Sequence, residues 1–143
     1  FGFMVEGVYS TQDFFQNYTA SVLRSPVFQP TPESRTYFLD NFRAQQYLAG
    51  GARAIIAVAK NKFDLRLEAY AFQPYKAIER NNSDQAEAGT AISERSFIGS
   101  GSLIWQSPLG PVWLNTSYLD GLTEPWVFSV NFGYVIFQQR AQE

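Results

Sequence analysis

An all-β, antiparallel fold is what this sequence predicts, and three observations predict it. Residues 126–137 alternate with period two: Trp126, Phe128, Val130, Phe132, Tyr134 and Ile136 share a wholly apolar or aromatic face. The opposite face, Val127, Ser129, Asn131, Gly133, Val135 and Phe137, has polar and small residues at its centre. Residues 63–73 repeat the pattern, with Phe63, Leu65, Leu67, Ala69 and Ala71 against Asp64, Arg66, Glu68, Tyr70 and Phe72. Connections between such runs alternate between long and short. Strands oily on one side and wetter on the other, joined alternately by long loops and tight turns, fit the wall of a transmembrane β-barrel.

The elements follow in chain order. Residues 1–10 set Phe1, Phe3, Val5 and Tyr9 against Met4, Glu6, Val8 and Ser10. Residues 11–46 form a long loop with Pro26, Pro30 and Pro32, and loops of that length in compact domains are usually functional. Residues 47–59 put Leu48, Ala52, Ala54, Ile56 and Val58 on one face and Tyr47, Ala49, Gly51 and Arg53 on the other. Gly50-Gly51 within this run admits close backbone approach. Lys60-Asn61-Lys62 is a polar turn, and residues 76–95 are charged enough to read as a solvated loop. Residues 97–107 place Phe97, Gly99, Gly101, Leu103 and Trp105 opposite Ser100, Ser102 and Gln106. After the Pro108–Pro111 turn, Val112, Leu114, Thr116 and Tyr118 oppose Asn115 and Ser117. Residues 120–125 are a loop containing Asp120-Gly121, a favoured turn pair. Six strands result, fewer than the roughly eight of the smallest membrane barrels, so further strands from upstream or from other chains are expected.

Composition narrows the function. The chain has 143 residues, 17% of them aromatic, so one domain or part of one is expected. The uncharged stretch 96–119 is broken by Ser, Gln, Pro, Gly and Asn residues and is no transmembrane helix. Net charge is −2 with no basic stripe, which argues against nucleic acid. Cysteine and histidine are absent, which excludes disulfides, thiolate or imidazole metal sites and Ser-His-Asp or Cys-His catalysis; no metal and no cofactor is expected.

Several segments carry a family resemblance. They are residues 2–8 (GFMVEGV), 14–20 (FFQNYTA), 28–32 (FQPTP), 42–49 (FRAQQYLA), 72–74 (FQP) and the ending 131–137 (NFGYVIF). The chain resembles the C-terminal barrel of patatin-like phospholipases of Bacteroidetes-type bacteria. That barrel lies within the bacterial surface antigen superfamily, beside outer-membrane assembly and two-partner secretion barrels. The resemblance implies that residues 1–143 are the last six strands of a larger barrel of about 16 strands, with no second domain. It implies location in the bacterial outer membrane, with outer-membrane lipid, the barrel-insertion machinery and the remaining strands as partners. It also implies a lumen loop bearing an Arg-Gly motif before a Gly-Gly strand. Arg43-Ala44 and Gly50-Gly51 occupy those places, with Ala44 departing from the glycine.

Candidate residues follow. Arg43 is expected to anchor the loop inside the lumen by pairing with Glu68, ahead of Asp64 and Glu6; otherwise it is a solvated loop arginine. Trp105, Trp113, Trp126, Tyr118 and Tyr134, near strand ends, are expected to form interfacial girdles rather than a plain core. Asn131, Gly133 and Phe137 resemble an assembly signal read by the insertion machinery, the plain alternative being a strand kink. No catalytic residue is assigned: no G-x-S-x-G occurs, and the Ser-Asp dyad that the resemblance implies for a serine lipid acyl hydrolase would lie upstream. The expected function is therefore to anchor or export such a hydrolase. The alternatives are the barrel of an assembly or secretion pore without hydrolase activity, and a soluble β-sandwich binding module.

Overall fold

A computed structural model describes residues 1–60, 62–92, 94–108 and 110–133. Its main element is a six-stranded antiparallel sheet. The strands are β1 (Gly2–Tyr9), β2 (Gln46–Ala59), β3 (Phe63–Pro74), β6 (Ser96–Ser107), β7 (Gly110–Leu119) and β8 (Trp126–Phe132), in that spatial order. A separate two-stranded sheet, β4 (Lys76–Arg80) and β5 (Ala86–Ala91), lies between β3 and β6 in sequence. The all-β, antiparallel expectation holds, and each of the six expected strands has its counterpart.

Residues 76–95 differ from their expectation as a solvated loop. Ile78, Glu79 and Arg80 pair with Ala88, Glu87 and Ala86. Asn81 closes the tip, its side-chain carbonyl accepting from the Ser83 and Gln85 amides. Charge on both strands hid a hairpin, because both of its faces are wet. Residues 11–46 also fold: they contain helix α1 (Tyr18–Arg24) and two 3-10 turns, Glu33–Arg35 and Asp40–Phe42.

Register settles which residues share a face. One row runs Ile56–Leu65–Leu103–Leu114–Val130 and the next Ala54–Leu67–Gly101–Thr116–Phe128. The opposite face carries Ile55–Arg66–Ser102–Asn115–Ser129 and then Arg53–Glu68–Ser100–Ser117–Val127. The first face is apolar and bare: Phe3, Val5, Leu48, Leu114, Phe128 and Val130 are all exposed. The second is polar near its middle and covered at one end by residues 11–45. A bulge between Ala57 and Ala59 breaks the β2 alternation, so Ala59 rather than Val58 takes the ladder position opposite Phe63.

Core formation is confined to the covered end. Phe28, Leu39 and Phe42 from the long loop pack with Tyr47, Tyr70, Phe72, Ile98 and Leu119 from the strands. Phe28 stacks on Phe72 with centroids 6.0 Å apart, and Tyr47 lies 4.8 Å from Phe72. Burying each aromatic contributes on the order of 1.5–3 kcal/mol, enough collectively to order the loop. The connections from β1 to β2, from β3 to β6 and from β7 to β8 leave this end, while the short ones from β2 to β3 and from β6 to β7 lie at the other.

Gly51 of β2 lies opposite Tyr70 of β3 with no room for a side chain. A Cβ there would collide with the Ala69 carbonyl oxygen and lie 2.8 Å from Tyr70 Cα, both backbone atoms that cannot move aside. At Gly101 the nearest atom, Leu67 Cδ2, would be 3.6 Å away, an ordinary contact. Gly51→Ala is therefore expected to destabilise the fold by about 1–3 kcal/mol. Gly101→Ala is expected to stay within roughly 0.5 kcal/mol of wild type. Denaturant unfolding of the two variants side by side checks this, and equal effects would contradict the register.

Candidate functional site

The loop anchor begins with helix α1. Asn17 caps its start, accepting the Ala20 amide at 3.0 Å. The Ser25 amide reaches back to the Ser21 and Val22 carbonyls, but the carbonyls beyond them need an outside donor, and seven residues are too few to hold a helix without help. Arg43 supplies that help: Nη1 donates to the carbonyls of Val22 (3.2 Å), Leu23 (3.1 Å) and Ser25 (3.4 Å). A cation at a helix C-terminus is also favoured by the helix dipole. The guanidinium carbon lies 5.0 Å from the centre of the Phe38 ring. Burial pulls the Arg43 pKa below the ordinary arginine value. Among the described residues its Nε has no hydrogen-bond partner.

The expected Arg43–Glu68 pair is not what the structure forms. Glu68, 5% exposed, receives Arg66 Nε at 3.0 Å and Nη2 at 2.8 Å on the same carboxylate oxygen. Arg53 approaches it at 3.9 Å from β2. Arg53 is directly opposite Glu68 in the ladder, and Arg66 is two residues away on the same face, so both reach the carboxylate without a loop residue. The other carboxylates considered also have local partners. Glu6 accepts from the Tyr47 hydroxyl, and Asp64 from the Gln106 amide at 3.4 Å. Arg43 thus holds the loop through backbone carbonyls rather than through an ion pair.

Around Glu68 lies a polar network that residue-by-residue reading missed. The Asn115 side-chain carbonyl accepts the hydroxyls of Ser100 (3.1 Å) and Ser102 (2.6 Å), and its amide donates to Ser117 at 3.0 Å. Asn115 and Ser117 are buried, so these bonds satisfy groups that would otherwise be costly. The signal was present in the alternating Ser and Asn of residues 100–117, but only the strand register shows that they meet.

A cavity of about 370 Å³ opens between this network and the 3-10 turn Glu33–Arg35. Its lining includes Tyr37 from the loop, Arg66, Glu68 and Asn115 from the sheet, and Trp113, Ser129 and Asn131 from β7 and β8. Trp113 is a correction to the expected girdle. It pairs with Ile104 and Asn131 on the covered face, whereas Trp105, Tyr118 and Trp126 lie on the bare face. One residue of register separates Val112 from Trp113 and puts them on opposite sides. Of the proposed assembly signal, Asn131 is the penultimate residue of β8, on the covered face, and the Gly133 amide donates to the Pro111 carbonyl at 3.3 Å. Phe137 lies outside the described residues, as does Tyr134 of the girdle.

Among the described residues no group of three or more Asp or Glu side chains could hold a metal. No helix there is long and apolar enough to cross a membrane, which says nothing about strands. Compared with known proteins, the chain matches no family model, no curated protein and no solved structure.

Removing the Arg43 guanidinium takes the charged donor from the Leu23 and Ser25 carbonyls, while Val22 keeps the Ser25 amide, at about 1.5–3 kcal/mol for hydrogen bonds to a charged group. Arg43→Ala is expected to speed chymotrypsin cleavage at Phe15 and Phe38 while the strands stay assembled. Because Arg43 and Glu68 share no hydrogen-bond or ion-pair partner, Arg43→Ala and Glu68→Gln should add within roughly 0.5 kcal/mol. A larger coupling energy in the double mutant would show that the two act as one unit.

Proposed function

We propose that this chain forms part of the wall of a bacterial outer-membrane β-barrel, with its bare face in lipid and residues 11–45 folded into the lumen. The observation that carries the reading is the bare face itself. Phe3, Val5, Leu114, Phe128 and Val130 belong to a continuous apolar surface formed by all six strands of the main sheet, far more than a water-facing sheet usually exposes. Strands of 10 to 14 residues in β2, β3, β6 and β7 are long enough to span hydrocarbon.

β1 and β8 are the edges of the sheet. In lipid their unpaired amides and carbonyls would each cost several kcal/mol, so further strands, from the same protein or another copy, must pair with them. Long connections at one end and short turns at the other suit an extracellular and a periplasmic side. The resemblance of residues 2–8, 28–32, 42–49 and 131–137 to patatin-like outer-membrane proteins then supplies the parent: a serine lipid acyl hydrolase that this barrel anchors or exports. Ester hydrolysis belongs to a domain other than this one. A reading frame encoding a G-x-S-x-G domain upstream of Phe1 supports that parent; periplasmic transport repeats in its place would make the barrel an assembly or secretion pore.

Two neighbouring residues of β8 test the membrane reading. Val130 is 72% exposed on the bare face, so in water Val130→Lys should be nearly neutral. In a bilayer it should cost on the order of 2–4 kcal/mol near the midplane, while Ser129→Lys on the covered face costs less. Folding yields into lipid vesicles, read from heat-resistant migration on gels, compare them. A fully folded Val130→Lys protein that needs no lipid or detergent would overturn the proposal.

A further inference from the structure

The cavity on the covered face holds a feature that neither the wall nor the loop anchor uses. Trp113 stands in the row Asp64–Ile104–Trp113–Asn131, on the face that carries the Glu68 and Asn115 polar groups, and the residue remains 41% exposed. An indole on a wet face forgoes most of its burial free energy unless something covers it. Tyr37 lines the same cavity from the loop side and is 38% exposed. Two aromatic surfaces therefore reach one cavity from two different elements.

Polar groups with spare hydrogen-bonding capacity line it as well. Arg66 directs Nε and Nη2 to a single oxygen of Glu68, so Nη1 is not used in that pair. Among the described residues, Asn131 makes one long side-chain bond, from its amide to the Ser129 hydroxyl at 3.5 Å. Its side-chain carbonyl is not used there, and the Ser129 hydroxyl can still donate. Asn115, by contrast, is engaged on both its carbonyl and its amide and forms a rigid floor. A volume of about 370 Å³ lies within the range of small-molecule sites.

Aromatic faces combined with amide, hydroxyl and guanidinium groups on a rigid floor suit a ligand with apolar C–H faces and a rim of hydroxyls. An acyl chain would leave the Arg66, Ser129 and Asn131 groups unsatisfied, and a bare inorganic anion would leave Trp113 and Tyr37 uncovered. We propose that this cavity is a saccharide-binding site, with Trp113 and Tyr37 as stacking surfaces and Arg66, Ser129 and Asn131 as hydroxyl-recognising groups. The site lies on the covered face, so it stands independently of what the bare face meets.

Titration of the detergent-solubilised full-length protein with maltose, chitobiose and methyl α-mannoside tests it, read by ligand-observed saturation-transfer NMR. At least one sugar should bind saturably, with a Kd of about 1 mM or tighter. Trp113→Ala should weaken that binding about tenfold, as expected for losing an aromatic stacking partner. Asn131→Leu should weaken it comparably, Trp113→Phe should restore much of it, and Ser129→Phe should abolish it by filling the cavity. Circular dichroism identifies variants that fold as wild type, and the comparison uses those; Ser129→Phe enters from β8 and does not depend on replacing Trp113. Absence of saturable binding by all three sugars, or wild-type affinity in both Trp113→Ala and Ser129→Phe, overturns the proposal. Saturable binding of octanoate with no sugar binding would make the cavity an acyl site and likewise overturns it. Since these signals do not require a bilayer, they are separable from the folding of Val130→Lys, which tests the membrane reading.

Discussion

The docking of Phe28, Leu39 and Phe42 onto Tyr70, Phe72, Ile98 and Leu119 is the contact on which the rest of the structure depends. A six-stranded antiparallel sheet is by itself indifferent about which face is inside. Placing three fully buried loop side chains on one end of one face removes that freedom. Because side chains alternate, a slip of one residue would bring Ala69, Gly99 and Tyr118 under the loop in place of Tyr70, Ile98 and Leu119. It would also turn Glu68 and its arginines onto the apolar face. Register, loop position and the separation of charge from oil are thus one constraint.

Charge on the covered face is arranged to suit that constraint. Glu68 is buried with Arg66 on its own strand and Arg53 on the next, so the ion cluster belongs to the sheet alone. Arg43 is used differently, closing the carbonyl end of α1 and lying against Phe38. Two modules result, a wall and a loop, joined by the apolar cluster around Phe28, Leu39 and Phe42 and by the Asn41–Ser96 hydrogen bond at 3.1 Å. At the opposite side of the loop, α1 meets the β4–β5 hairpin. The Tyr18 amide donates to the Asp84 carbonyl at 3.0 Å and Arg80 lies over the Tyr18 ring. Burial and the nearby Asp40 raise the Tyr18 pKa, with Arg80 opposing, so its phenol stays neutral at ordinary pH.

Much of this was legible in the sequence, for one physical reason. Where one face of a strand is apolar and the other polar, period-two alternation marks both the element and its orientation, as in residues 63–73 and 112–119. Where that contrast fails, so does the reading. The β4–β5 hairpin is wet on both faces and looked like a loop, and the bulge at Ala57 to Ala59 puts Ala59 where unbroken alternation expects Val58. The site was less legible still. Arg43 and Glu68 stand out in the sequence as charges needing partners, but opposite sign is a poor guide to pairing when three carbonyls and two nearer arginines compete. Trp113 differed from the other tryptophans only by the parity of its position, which no composition argument detects.

The central claim is that the two faces of this sheet meet different media. The chain contains no cysteine, so single cysteines can be placed along β7 and β8 and spin-labelled in lipid vesicles. Power-saturation EPR then compares collision with oxygen, which concentrates in hydrocarbon, and with a water-soluble nickel chelate. Labels at Leu114, Thr116, Phe128 and Val130 should collide with oxygen and be shielded from nickel, while labels at Asn115, Ser117, Val127 and Ser129 should not favour oxygen. The two profiles should therefore oscillate out of phase with period two. In-phase profiles, or nickel access at Leu114 and Val130 equal to that of an exposed loop residue such as Thr123, would contradict the account.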